Sequence, residues 1–193
     1  MIFEKDGYVL RPARAEDAEA YYARNYCPLD PEAARMTGCK PCFSHDEVVD
    51  FFHRCLADDS RRFFLLISPD GNIVGENVIH EIDPDTRSAN YRVALFHPED
   101  RGHGLGRWMA WAAQELAFGQ LGLHRLELQV FSFNPRAERA YLAAGFRREG
   151  VRRDAARDGD GFADEILMAV LEEEWLAGNA GGCIRSGRAA VRE

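Results

Sequence analysis

Two rhythms of apolar and polar residues alternate along the chain, and they divide it into strands and helices. Tyr8-Val9-Leu10-Arg11-Pro12 is a short extended run. The acidic stretch Ala15-Glu16-Asp17-Ala18 after it suits a first helical turn, where negative charge meets the positive end of the helix dipole. Ser44, with Glu47 three residues on, has the form of a capping box, and Val48, Val49, Phe51, Phe52 and Leu56 follow at helical spacing. That pattern predicts a second helix ending near Asp58. Phe63–Ile67 and the run from Ile73 to Ile82 read as strands joined by Ser68-Pro69-Asp70-Gly71-Asn72, a turn composition, and so predict a hairpin. After a further turn at Asp83-Pro84-Asp85, a third strand is expected over Asn90–Phe96, stopped by His97-Pro98.

Leu105, Trp108, Met109, Ala112 and Leu116 then recur on one helical face, which predicts a helix of about four turns. Leu126, Leu128 and Val130 alternate with Arg125, Glu127 and Gln129, the signature of a strand. Asn134-Pro135 places a good cap before a proline at the first helical position, Gly145 closes that short helix, and a last strand is expected over Glu165–Leu171. Beyond Trp175 the chain turns glycine-rich and arginine-dotted, so residues 1–177 are expected to form one domain and 178–193 a disordered tail. The order β-α-α-β-β-β-α-β-α-β-β describes an α/β (α+β) domain, a single mixed sheet covered by helices on both faces.

Composition narrows the function. At 193 residues, 46% apolar and 29% charged, the chain is long enough to bury one real core. Its 24 basic and 32 acidic residues leave a formal charge of −8, which argues against a nucleic-acid partner and favours a cationic one. The last sixteen residues hold three arginines against one glutamate, so the body before them is more negative still. The charged N-terminus Met1-Ile2-Phe3-Glu4-Lys5-Asp6 is no signal peptide, and no stretch of about eighteen apolar residues occurs, so the expectation is a cytoplasmic protein without a membrane partner. Five cysteines, an odd number, make a disulfide framework a poor reading. Cys39-Lys-Pro-Cys42 with Cys27, His45, His53 and Cys55 offers zinc-type donors, but only one pair is close in sequence. No metal is expected.

The stretch Arg101-Gly102-His103-Gly104-Leu105-Gly106-Arg107 lies between a strand and the long amphipathic helix. Alternate glycines remove the Cβ atoms that would hold a ligand off the backbone, at the end of a helix that attracts anions. The natural ligand is phosphate-bearing, although the same glycines would also make a tight strand-to-helix turn. Gly106 is followed by Arg107-Trp108, not by the Lys-Ser/Thr of a P-loop. A Rossmann fingerprint fails too, because it requires glycine or alanine where Arg107 or Met109 stands.

Arg101-x-x-Gly104-x-Gly106 at this place resembles the pyrophosphate loop of the GNAT superfamily of acyl-CoA N-acyltransferases, and Asn134-x-x-Ala137-x-x-x-Tyr141-x-x-x-Gly145-Phe146 resembles its second signature. The likeness spans roughly residues 7 to 175 and is nearest in style to the ribosomal-protein N-terminal and the spermidine acetyltransferases. It implies a mostly antiparallel sheet with two splayed central strands and acetyl-CoA as co-substrate. It also implies a cofactor site on the main chain of Leu95 and Phe96, on the loop Arg101, Gly102, His103, Gly104, Leu105, Gly106 and Arg107, and on Asn134. Asn134 would equally cap its helix, and the two roles are compatible. Tyr141 takes the place of the acid that protonates the departing thiolate, against the plainer reading of a core aromatic.

Acetyl transfer also needs a neutral amine. Glu76 and Glu81 are the candidates for the base, and being five apart on one strand they face opposite ways unless a bulge intervenes. Glu81, beside Asp83 and Asp85, is preferred over Glu76, with a solvated strand-end acid as the plain alternative. The leading expectation is an N-acetyltransferase acting on a polyamine-like amine or a protein N-terminus. Its rivals are a non-catalytic acyl-CoA sensor and a zinc-stabilised interaction domain. The resemblance implies that the early helices and the last hairpin select the acceptor, and a homo-oligomer stays open.

Overall fold

The computed structural model describes residues 1–180 and 191–192. The strands are β1 (Ile2–Lys5), β2 (Tyr8–Pro12), β3 (Arg62–Ile67), β4 (Ile73–Asp83), β5 (Ser88–Leu95), β6 (Arg125–Phe131), β7 (Arg147–Asp158), β8 (Gly161–Leu171) and β9 (Val191–Arg192). The helices are α1 (Ala18–Asn25), α2 (Pro31–Thr37), α3 (His45–Ala57), α4 (Leu105–Gly119), α5 (Pro135–Ala143) and α6 (Glu172–Ala180). All described strands join one sheet in the order β7-β8-β6-β5-β4-β3-β2-β1-β9, in which among the described residues only β5 and β6 are parallel neighbours. This is the α/β architecture expected, with helices on both faces.

Each face has its own core. On one, Leu105, Trp108, Met109, Ala112 and Leu116 of α4 pack on Phe3, Leu66, Ile79, Leu126 and Met168 from the sheet. On the other, Tyr21 of α1 and Phe52 of α3 close over Phe63, Leu65, Val78 and Phe96. Full burial of such side chains contributes about 1.5–3 kcal/mol each, enough to fix which face every strand presents. The predicted cap of α3 is formed, with Ser44 Oγ accepting from Glu47 N–H and Glu47 bonding back to the Ser44 N–H. Lys40 also pairs with Glu47, and this bond first, then the Ser44 N–H, brings the Glu47 carboxyl down to about 2.

Four elements lie outside the sequence-based expectation, β1, α2, α6 and β9, while β7 fills the place of a strand expected before Glu165–Leu171 without bounds. α2 has clear end signals, Asp30 Oδ1 accepting from Ala33 N–H at 2.8 Å, Pro31 in the first turn and Gly38 at φ 68°, but only seven residues between them. β7 is exposed along almost its whole length, so it shows no alternation to read, and as an edge strand its one strand neighbour among the described residues is β8. α6 docks through Trp175, whose ring lies 5.6 Å from that of Phe118. Most of the tail expected at 178–193 lies outside the described residues; within them, 178–180 belong to α6 and Val191 pairs with Phe3. No described helix is long and apolar enough to cross a membrane.

Candidate active site

The site begins where two strands stop pairing. β5 and β6 are paired only at Ser88↔Arg125, Ala89↔Leu126 and Asn90↔Glu127. Past Asn90, β5 stays with β4 as far as Leu95, whereas β6 stays with β8 as far as Phe131. The β6-facing main-chain groups of residues 91–95 therefore have no strand partner among the described residues, and an extended amide-bearing ligand can pair with them. A cavity of about 920 Å³ opens here, lined by Val93 and Leu95, the glycine loop, Asn134 and Tyr141. β4 can lie this close behind because position 75 is glycine: a Cβ there would meet the Ala94 carbonyl at 2.6 Å.

At the cavity's head, Gly102 and Gly104 take φ of 87° and 74°, a region in which an L side chain is strained. The helical ladder of α4 starts with Trp108 N–H donating to the Gly104 carbonyl at 3.1 Å. Leu105, Gly106 and Arg107, all on the cavity wall, thus carry N–H groups with no helical acceptor, at the positive end of the dipole. A Cβ built at Gly102 or Gly106 meets nothing within 4 Å, so the approach is open. Free donors, positive field and open space fit a pyrophosphate. Arg107 and Arg139 stand on the same wall, exposed and with no ion pair among the described residues. Arg139 had no motif to single it out; its position one turn after Arg136 on α5 matters only once that helix is seen beside the loop.

Several expected cofactor residues turn their side chains elsewhere. The Arg101 guanidinium is buried against Glu32 at 2.6 Å and Asp30 at 2.9 Å, with the Leu95 and Phe96 carbonyls at 3.3–3.4 Å. His103 Nε2 donates to the Glu99 carbonyl at 3.1 Å, away from the cavity wall. The Phe96 ring packs on Tyr21 and Tyr26 across the sheet, while its N–H donates to the Val74 carbonyl at 3.1 Å. Asn134 caps α5, its Oδ1 accepting from Ala137 N–H at 3.1 Å, and it also lines the cavity.

Tyr141 sits one turn after Ala137 on the buried face of α5, its ring 6.4 Å from Tyr91 and 6.0 Å from Phe146. Its hydroxyl has no hydrogen-bond partner among the described residues, and the residue lines the cavity. Burial pushes its ionisation well up, so the phenol stays protonated.

The two candidate bases end in different surroundings. Glu76 is buried beneath α1, where Tyr21 Oη donates to it at 2.6 Å and Arg92 Nε lies 3.4 Å away. It does not line the cavity. Glu81 does, because the β4–β5 register slips between His80 and Asp83 and Glu81 takes a φ of 53°. That bulge breaks the simple alternation that would set Glu76 and Glu81 on opposite faces. Three acids line the cavity, and two are matched: Glu127 by Arg125 at 2.6 Å and Glu165 by Arg152 at 2.7 Å. Among the described residues Glu81 accepts only from Asn90 Nδ2, at 2.6 Å, with His80 at 3.8 Å. Among the described residues no cluster of three or more His, Cys, Asp or Glu gathers as metal donors would; Cys27 and Cys42 are exposed and Cys55 is buried.

A mostly antiparallel sheet opened between two parallel central strands, with a glycine-capped helix at the opening, is the architecture of an acyl-CoA N-acyltransferase. The family model described as an acetyltransferase (GNAT) domain matches residues 8–147. The chain belongs to this family. It is 28% identical over 137 residues to the spermidine N(1)-acetyltransferase of Vibrio cholerae, covering 71% of this chain and 79% of that protein. It is 26% identical over 178 residues to an uncharacterized N-acetyltransferase, YoaA, of Bacillus subtilis, covering 90% and 98%. The crystal structure of the V. cholerae spermidine N-acetyltransferase in complex with CoA and spermine superposes with a TM-score of 0.78 at 25% identity, covering 88% of this chain and 98% of that one. As an acetyltransferase of this family, the protein moves an acetyl group from acetyl-CoA to a primary amine.

Proposed function

We propose that the acceptor is a polyamine-like amine, held as a cation by Glu81, and that Tyr141 protonates the departing thiolate. The observation that carries this reading is the carboxylate of Glu81, which faces no arginine or lysine among the described residues, on a cavity wall whose other acids already face arginines. The spermine named with the V. cholerae enzyme and that enzyme's 28% identity support it. Acetyl-CoA, when bound, supplies the acetyl thioester. The N–H groups of Leu105, Gly106 and Arg107 hold its pyrophosphate, the Arg107 and Arg139 side chains neutralise further phosphate charge, and the free edge of β5 aligns its amide arm. Asn134 contributes its amide nitrogen beside the capped helix start. Tyr141, neutral and with no other hydrogen-bond partner among the described residues, donates to the sulfur as the carbon–sulfur bond lengthens, a role a ligand sensor does not need. Glu76 holds Tyr21 and Arg92 in place and takes no part in proton transfer. Exposed cysteines and an acetyl-CoA substrate suit the cytoplasm.

The test is a panel of spermidine, a basic N-terminal peptide and a neutral primary amine, assayed with acetyl-CoA by thiol release. Spermidine should give the highest kcat/KM, and the value should fall between low and moderate salt as the attraction is screened. Glu81→Gln should raise KM for spermidine roughly tenfold, about 1.4 kcal/mol. A salt-insensitive preference for the neutral amine overturns the cationic acceptor.

A further inference from the structure

Of the six histidines, His80 is the one on the cavity wall. Neither of its ring nitrogens makes a hydrogen bond among the described residues, whereas His97 and His103 are tied to main-chain carbonyls and His45 to Glu19 and Asp46. Its place in the sheet is specific. It pairs with Asn90 across β4–β5, and Asn90 is the last residue of β5 to pair with β6, so His80 stands beside the point where the strands part. Its side chain is three-quarters buried, with Glu81 Oε1 3.8 Å from Nδ1.

We propose that His80 is the general base that takes a proton from the acceptor amine in this cavity. The proposal rests on the cavity being the acceptor site, and it separates two tasks that one carboxylate could not both perform well: Glu81 holds the cation, and His80 accepts the proton. An imidazole is neutral yet basic in the working range, and the proton it gains is stabilised by the Glu81 carboxylate alongside. Burial, the largest influence, lowers the pKa of His80 below the ordinary histidine value. Of the charges facing it, Glu81 on its own strand and Asp58 after α3 raise it, while Arg61 before β3 and Arg92 on β5 lower it. At neutral pH the ring is therefore unprotonated and ready.

The protons balance. An ammonium becoming a secondary amide loses two. One passes to His80 and on to water, freeing the nitrogen lone pair to attack the thioester carbon. The second becomes acidic once the carbon–nitrogen bond forms, and it replaces the proton that Tyr141 gives to sulfur as the carbon–sulfur bond breaks.

The experiment uses the full chain and whichever primary amine of the panel is turned over best, so that it does not depend on spermidine being that amine. In the wild type, kcat/KM should fall as pH drops through a value below about 6.5, where His80 becomes charged. His80→Gln should lower kcat by about 10²–10⁴-fold and abolish that limb, with KM and the acetyl-CoA Kd within threefold of wild type. In His80→Ala, added imidazole should restore turnover in proportion to its neutral form. Wild-type kcat with the acid limb intact in His80→Gln overturns the proposal. So does a loss in both variants that imidazole leaves unrepaired. Glu81→Gln separates this from the acceptor reading: an unchanged KM there removes the cation anchor but leaves the base assigned.

Discussion

Tyr141 has a full side chain's worth of packing and one polar atom with no hydrogen-bond partner among the described residues, which is why the residue counts for more than its ring. Tyr141→Phe keeps the packing and removes the donor. Turnover should fall about 10²–10⁴-fold with acetyl-CoA affinity, read by calorimetry, unchanged within about twofold. Wild-type turnover, with chemistry shown to limit the rate, returns the residue to the core. At this scale the sequence makes visible whatever is local. Asn134 caps the short helix that carries Ala137 and Tyr141, and their spacing alone sets cap, turn and ring on their faces. It hides what depends on distant partners. The Arg101 guanidinium lies on Glu32 and Asp30, 69 and 71 residues earlier, so no reading of the loop could show it to be engaged. His80 is equally silent until the gap between β5 and β6 is known.

Among the elements, α4 was legible from its apolar stripe, and the head of the helix from its glycines, because both depend on neighbours within a few residues. The same locality explains the hairpin of β3 and β4. It also explains what was missed: α2 is too short to show a period, and β7, exposed along almost its whole length, has none, so its bounds could not be read. The bulge at Glu81 is invisible for a related reason, since a non-glycine residue at φ 53° announces nothing in the letters. The head of α4 gives a sharp prediction. Gly104→Asp puts a side chain at φ 74° and a carboxylate where a pyrophosphate would lie. Acetyl-CoA binding should fall by more than 10²-fold by calorimetry, with the circular dichroism spectrum unchanged. Unaltered affinity would remove the loop from the cofactor site.

Across the whole molecule, α2 acts as a strap over the opening between β5 and β6. Ala33, Met36 and Thr37 line the cavity, while its charged residues reach three other parts of the fold. Glu32 meets Arg101 of the loop before α4 and, at 3.2 Å, Arg136 of α5, and Arg35 meets Asp158 at the tip of the β7–β8 hairpin at 2.7 Å. Gly38, at the strap's end, would carry a Cβ only 3.0 Å from the Phe131 ring of β6. The wall proposed to face the amine is thereby fastened to the loop proposed to hold the cofactor, chiefly through Arg101, whose side chain is 8% exposed. Arg101→Met removes one member of a largely buried ion cluster, a change that costs about 3–5 kcal/mol when burial is complete. Glu32 is 42% exposed, so the lower end applies, and at ~2–4 °C per kcal/mol the Tm should fall by roughly 6–12 °C. The KM for the amine should rise together with the Kd for acetyl-CoA, because both walls lose their common tie. Asp30→Asn, which leaves an amide oxygen to cap α2 at the Ala33 N–H, should give the smaller effect on all three. Loss of acetyl-CoA affinity alone, with Tm and amine KM unmoved in Arg101→Met, would mean instead that the guanidinium leaves its carboxylates and binds the pyrophosphate directly.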